Sequence, residues 1–407
     1  MRRLTTRRRH ARWPVALSAC AALCGVVVSG VLIKHTVTGY QLDLSVFRDA
    51  GAALLNGAPL YSADFPSTSG FRFIYPPFAA VVFIPLAWVP APVTQVLWAL
   101  LNLALVWWIL RICLDRLGLG RPGRLALLAL GPALLLEPVR TTFGFGQINI
   151  VLMALVVADC LRAVPRRLQG VCLGLAAAIK LTPAGHALVL LARRDTAAVV
   201  KAAAVFAATI ALGFLVRPVD SLWFWLREFF KVDRAGGHEF SRNQALTGVL
   251  TRSGLDGFVK DVIWLTLALV IAATAYWAAR RFAHSGEPVL ALGVVALAVL
   301  LASPFAVNHH WVYCLLLVPL IIAGQYRSWR PALAVAFVAF GIGPHFLLEK
   351  LDGLPRWQSL AMQIGGNAQS LAATGLFIAA VVVARRRGRA EATVDDRVLR
   401  GLAMDRT

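Results

Sequence analysis

Residues 75–110 read "YPPFAAVVFIPLAWVPAPVTQVLWALLNLALVWWIL". The second half, 93–110, is a proline-free, mainly apolar run that approaches the roughly 20 residues needed to cross a bilayer. The first half is equally apolar but holds prolines at 76, 77, 85, 90 and 92. Each lacks a backbone donor and interrupts a regular helix. At membrane depth such a segment is tolerated only where protein or a cavity satisfies its backbone. The pair therefore predicts an all-helical membrane protein in which a broken or re-entrant element leads into a span.

The pattern recurs. Apolar runs at 15–33, 198–216, 262–279, 288–302, 311–323, 331–348 and 368–384 approach or match span length, and shorter ones lie at 125–136, 146–161 and 170–192. Within the last of these, "LAAAIKLTPAGHAL" (175–188) reads as a second broken element, because basic groups flank it on both sides. Ten to twelve crossings are expected. The 407 residues are 59% hydrophobic and 15% charged, with a mean hydropathy of +0.70. A soluble chain of this size would leave much of that apolar surface in water.

The net charge of +21 does not point to nucleic acid, because of where it sits. Arg2, Arg3, Arg7, Arg8, Arg9 and Arg12 precede the first run, and Arg385, Arg386, Arg387 and Arg389 follow the last. Segments 111–124, 162–169, 193–201, 280–287 and 325–330 are basic as well. Basic flanks favour the cytoplasmic side and anionic lipid headgroups, so both termini are expected inside. The first run reads as a retained signal anchor. The chain divides into a membrane domain, 1–384, and a charged, loosely ordered cytoplasmic tail, 385–407. All six cysteines fall in or beside apolar runs, and no disulfide framework is legible.

This topology gathers four segments on the extracytoplasmic side: 34–74, "EPVRTTFGFGQIN" (137–149), 217–258 and "SPFAVNHHW" (303–311). The main polar, non-basic chemistry of the chain converges there. In the third, Leu222, Trp225, Leu226, Phe229 and Phe230 recur at helical spacing, as expected of an amphipathic interfacial helix. Leu42, Val46, Ala50, Ala53 and Leu54 make a similar stripe, with Asp43 in its first turn.

Each candidate residue has an ordinary reading beside the chemical one. Asp43 is either a helix N-terminal carboxylate or a general base at the water–lipid boundary. Asp49, six residues on, reads as solvated. Lys180 lies deep in an apolar run, where an ammonium needs a partner. That partner is either a buried acid such as Asp159 or Glu137, or an anionic ligand. Adjacent His309 and His310 point about 100° apart on a helix, which suits separate hydrogen bonds rather than a shared metal. No metal site is expected. Gln147, Asn149, Asn243 and Gln244 supply amides that suit sugar hydroxyls or serve as helix caps. Arg242 suits a phosphate or the headgroup region.

Taken in order, the strings "DLSVFRDAGAALLNGAPLY", "FRFIYPPFAAVVFIPLAWVP", "FGQIN", "GLAAAIKLTPAGHAL", "SRNQALTG" and "SPFAVNHHWVY" resemble the motifs of glycosyltransferase family 87. These are the actinobacterial polyprenyl-phosphate-mannose-dependent α-(1→2)-mannosyltransferases of the multi-span GT-C superfamily. The resemblance implies a GT-C fold and a multi-pass protein of the plasma membrane with an extracytoplasmic site. It also implies inverting transfer of mannose from polyprenyl-phosphate-mannose to a phosphatidylinositol mannoside, lipomannan or lipoarabinomannan, in cell-wall lipoglycan synthesis and without a cofactor. The family's catalytic acid matches Asp43, its histidine pair His309 and His310, and its lysine Lys180. Tyr75, Gln147, Asn149, Arg242, Asn243 and Gln244 complete the expected substrate-binding set. Phe47, where the family usually has Tyr, and Ala306-Val307, where it has Ser-Trp, are departures that bear on acceptor choice. The alternatives are a transferase of another lipid-linked sugar, such as arabinofuranose, and a lipid or sugar transporter or flippase. Transporters usually show internal repeats, and no repeat stands out here.

Overall fold

The computed structural model describes residues 15–231 and 236–404, with side chains as far as Arg386. The arginines before the first run, residues 232–235 of the third outer segment and the side chains of Arg387 and Arg389 lie outside that description. The described elements are helices, joined by a single antiparallel bridge between Asn243 and Val307.

Five helices are long and apolar enough to cross a membrane: Val15–Thr38, Ala91–Arg116, Thr196–Val216, Gly257–His284 and Ala368–Arg386. The number rises to seven if each of two bent pairs is one span. These are Pro122–Leu134 with Glu137–Phe145, bent by 81°, and Asn308–Ile322 with Gly324–Ile342, bent by 110°. Four further apolar helices have only 10–17 residues. With the bent pairs and the four short helices, the apolar elements are in keeping with the expected ten to twelve, though only five to seven are full-length spans. In the first pair Pro138 restarts the chain just after the bend, and proline is at home in a helix's first turn. The chain is a multi-pass membrane protein.

The basic segments meet at one end of the bundle. Arg116 donates to the carbonyls of Leu161 (2.6 Å) and Arg162 (2.7 Å), Lys201 donates to that of Arg167 (2.6 Å), and Tyr326 bonds Glu287 (3.0 Å). From this end the second broken element rises and returns. Helix Val171–Ile179 begins where Leu173 N donates to the Asp159 carboxylate (2.6 Å). It stops at Lys180, whose backbone is extended (φ −149°, ψ 130°). A 3-10 turn, Thr182–His186, and helix Ala187–Ala192 lead back to Arg193, which donates to Cys160 O. Nine helical residues lift Lys180 about 13 Å above the arginine end, to the tip of a re-entrant hairpin.

The other end is built on helix Leu42–Leu55, whose Leu44, Val46, Phe47, Ala50 and Ala53 are buried. That stripe faces protein rather than lipid: Phe47 stacks on Phe83 (4.5 Å) of helix Pro77–Trp88 and meets Tyr75 edge-on (5.4 Å). Arg48 donates to Leu86 O (2.8 Å), Val89 O and Thr94 Oγ1 (2.7 Å). Helix Pro77–Trp88 thus starts and ends at the same end of the bundle, as a re-entrant element must. Asp49 is not simply solvated; its carboxylate accepts from Thr68 N (2.8 Å) and Oγ1 (2.9 Å) and pins the loop.

Two expectations need correction here. The stretch 220–230 is not one amphipathic helix but helix Pro218–Leu226 followed by a 3-10 turn, Glu228–Phe230. The break serves Glu228, which turns inward to accept from Trp223 Nε1 (3.2 Å) and Lys231, while Leu222, Leu226, Phe229 and Phe230 stay exposed. The segment after Arg385, expected as a loose tail, continues the last helix to Met404.

Candidate active site

Asp43 occupies the first turn of helix Leu42–Leu55, but it does not cap that helix. The N-cap position belongs to Gln41, which makes no side-chain cap. The Asp43 carboxylate feels the Gln147 amide and lies in the field of the Lys180 ammonium. Burial pushes its pKa up to about 6, against the lowering effect of Lys180 and Gln147. Desolvation penalises the charged form more than one ammonium and one amide favour it.

Gln147 reaches Asp43 because of the turn before it. Helix Glu137–Phe145 ends at Gly146 in the left-handed region (φ 67°). A Cβ there would sit 2.6 Å from Leu44 Cβ, so only glycine lets the two segments close. Gln41 completes the joint by donating to Phe143 O (2.8 Å). Gln147 and the Tyr75 hydroxyl hydrogen-bond at 3.3 Å, and Gln147 Oε1 also accepts from Ile148 N (3.1 Å). The Tyr75 ring centroid lies 5.6 Å from Lys180 Nζ, a cation–π contact.

Lys180 bonds Asn149 Oδ1 (3.0 Å) and His310 Nε2 (2.8 Å). Neither Asp159 nor Glu137 is its partner. Asp159 accepts from Leu173 N at the arginine end, and Glu137 bonds Thr141, Asn308 and Gln369. Asn149 uses its amide N–H on His309 O (2.9 Å), so one side chain clamps both the hairpin tip and the histidine turn. The His309 and His310 rings stand 5.0 Å apart, nearly perpendicular. The Nδ1 atom of each is buried without a protein partner. The Arg242 guanidinium lies 5.7 Å from the Phe145 ring, which in turn meets His309 edge-on at 5.9 Å.

Asp43, Tyr75, Gln147, Asn149, Lys180, His309, His310 and Arg242 therefore come together from separate stretches of chain. Asn243 and Gln244 do not join them as ligand-facing amides. Both are fully buried. Asn243 Oδ1 accepts from Ala306 N (3.1 Å) and Ala245 N (3.3 Å), and its Nδ2 donates to His238 O (3.0 Å). Gln244 Nε2 bonds Ser241 O (3.0 Å) and Gly366 O (3.1 Å), while its Oε1 accepts from Ser370 Oγ (3.0 Å). They hold the loop against the histidine turn. Among the described residues, no group of three or more His, Cys, Asp and Glu is arranged to hold a metal ion. The sequence reading missed Gln41 and Phe145. A polar residue just before an interfacial helix is the only signal the first of these gives.

Known proteins add what geometry alone does not. The model of glycosyltransferase family 87 matches residues 73–304, a stretch that excludes Asp43 and the histidine pair. The chain is 37% identical to a polyprenol-phosphate-mannose-dependent alpha-(1-2)-phosphatidylinositol mannoside mannosyltransferase of Mycolicibacterium smegmatis, over 79% of each chain. It is 36% identical to the protein of the same description from Mycobacterium tuberculosis, over 76% of each. A phosphatidylinositol pentamannoside mannosyltransferase of M. smegmatis is 33% identical over 72% of each. Among solved structures, ArnT from Cupriavidus metallidurans bound to undecaprenyl phosphate covers 91% of this chain and 78% of its own. Its identity of 17% and TM-score of 0.39 are too low to build on. The family match over more than half of the chain, with these identities, means that the chain belongs to glycosyltransferase family 87.

Proposed function

We propose that this glycosyltransferase moves mannose from polyprenol-phosphate-mannose to a hydroxyl of a mannosylated phosphatidylinositol or related lipoglycan, with inversion and formation of an α-1,2 linkage. The observation that carries the reading is one carboxylate, Asp43, held within the field of one ammonium, Lys180, that is itself bonded to His310. The named relatives use this donor class.

In this reading Asp43 is the base. The acceptor oxygen attacks the anomeric carbon from the face opposite the phosphate. The new C–O bond forms as the carbon–phosphate-oxygen bond breaks, and the hydroxyl proton passes to Asp43. The departing polyprenyl phosphate gains negative charge where Lys180 and Arg242 supply positive charge, and where His309 and His310 have ring nitrogens free to donate. Gln147 and Asn149 orient Asp43 and Lys180, and Tyr75 fixes Gln147. A carboxylate with pKa about 6 is ionised at neutral pH yet basic enough to take a proton in the transition state. The positive-inside pattern supports a site on the extracytoplasmic side of the plasma membrane with both termini inside, and this reading asks for no metal.

The test uses the purified chain in lipid nanodiscs with polyprenol-phosphate-mannose and phosphatidylinositol mannosides. Mass spectrometry and α-1,2-mannosidase digestion of the product should show one added α-1,2-mannose, formed equally well with EDTA present and absent with Asp43→Asn. Transfer from an arabinofuranosyl donor but not the mannosyl donor would replace this reading, and a metal requirement would remove the cation-only account of the leaving group.

A further inference from the structure

Glu137 opens helix Glu137–Phe145 and is only 8% exposed, yet it does not sit as an ordinary first-turn acid. Its carboxylate Oε1 accepts from Thr141 Oγ1 and Asn308 Nδ2, and its Oε2 accepts from Gln369 Nε2 at 2.9 Å. On a further side lies Gly343, in the left-handed region (φ 64°), where a Cβ would come 2.5 Å from Glu137 Cγ. Four elements thus close on one carboxylate: its own helix, the histidine turn, the end of helix Arg330–Ile342 and the start of the last span.

Asn308 is the residue immediately before His309 and His310. Its backbone N–H donates to Arg242 O (3.0 Å), and its side chain donates to Glu137. It is held from both sides, at 1% exposure. A buried carboxylate is costly to desolvate, and an apolar side chain of similar volume would serve stability at least as well. What the acid supplies that an apolar group cannot is a fixed acceptor for the Asn308 amide.

We infer that Glu137 is a positioning residue: it locks Asn308 and thereby sets the orientation of His309 and His310 toward Lys180. The inference deepens the proposed transfer reaction and rests on it for its kinetic readout.

The test compares Glu137→Gln, Asn308→Asp and the double variant E137Q/N308D in the full-length chain. Glu137→Gln replaces the charged acceptor of the Asn308 N–H with a neutral and weaker one, and Asn308→Asp sets two carboxylates together. The double variant restores one donor and one acceptor with the roles exchanged. Each single change is expected to lower kcat about tenfold or more, with little change in KM for polyprenol-phosphate-mannose. The double variant should recover most of the loss. Asn308→Ala, which removes the tether without opposing like groups, stands in for a single variant that fails to fold, with the same expected loss. A double variant no better than the poorer single, or a Glu137→Gln enzyme within twofold of the parent, overturns the assignment. The ring 15N resonances of His310, identified with a His310→Asn variant, give a readout independent of any reaction. They should move in Glu137→Gln and return in the double variant; unmoved resonances overturn the inference even where no mannose transfer occurs.

Discussion

Lys180 Nζ lies 2.8 Å from His310 Nε2, at the tip of a hairpin that both enters and leaves from the arginine end of the bundle. A charged ammonium only donates, so Nε2 accepts and the His310 ring proton sits on Nδ1, the nitrogen without a protein partner. One contact therefore fixes a tautomer, aims a free N–H, and ties the re-entrant hairpin to the 3-10 turn that opens the segment Asn308–Ile322.

Replacing Lys180 with Met should be visible in the pH profile as well as in affinity. The Lys180 charge lowers the pKa of Asp43, so its removal lets that pKa rise above about 6. The acid limb of kcat/KM should shift to higher pH in Lys180→Met, with donor binding weakened about tenfold. A limb that stays in place while activity falls would mean that Lys180 acts on the donor alone.

Asp43 itself gives a prediction of opposite sign for activity and stability. The base is the ionised form, so kcat/KM should rise with pH up to about 6 and level off above it. The folded pKa is raised above the ordinary 3.8, so the fold prefers the protonated form. The stability this group contributes is present in acid and is lost as pH rises through about 6. Asp43→Asn should therefore lose transfer while melting no lower than the parent at pH 7.5. Thermal unfolding in detergent beside a transfer assay checks both halves, and a clear drop in melting temperature contradicts the stated sign.

The limits of the sequence reading follow from the same residues. Apolar runs and basic flanks are summed properties of many side chains, so they reveal the membrane class, and they mark the basic segments that do gather at one end. The proline-rich stretch at 75–92 and the "KLTP" string show their breaks because proline acts on its own backbone. Long-range pairing leaves no such trace. Nothing local distinguishes Asn149, which clamps Lys180 to the His309 backbone, from Asn243, whose amide is consumed by Ala306 and His238. Asp49 reads as solvated for the same reason: its partner, Thr68, is set by how the loop closes.

That contrast can be tested by comparing Asn243→Ala with Arg242→Met. Asn243 is buried with both ends of its amide engaged, so truncation should destabilise by about 1–3 kcal/mol. It should leave KM unchanged per mole of folded enzyme. Arg242 is half-buried over Phe145, and its loss should raise KM for the phosphate-bearing donor with little effect on melting. Melting curves and initial rates on monodisperse protein separate the two, and a KM effect in folded Asn243→Ala would return that amide to the binding surface.

Two glycines two residues apart make the sharpest test of how the site is assembled. Gly144 lies inside helix Glu137–Phe145, where the nearest atom to an added Cβ is His35 Cε1 at 3.9 Å. Gly144→Ala should be neutral or stabilise by roughly 0.5–1 kcal/mol, since alanine suits a helix interior better than glycine. Gly146 is left-handed, and its Cβ would lie 2.6 Å from Leu44 Cβ. Left-handed backbone alone costs an alanine about 1–2 kcal/mol, and the collision adds to it by pushing helix Leu42–Leu55 away from Gln147. Gly146→Ala should thus melt lower and lose kcat out of proportion to its loss of folded protein, because Asp43 rides on the displaced helix. Equal behaviour of the two variants in melting and transfer assays would show that the Gly146 turn does not set the distance between Asp43 and Gln147.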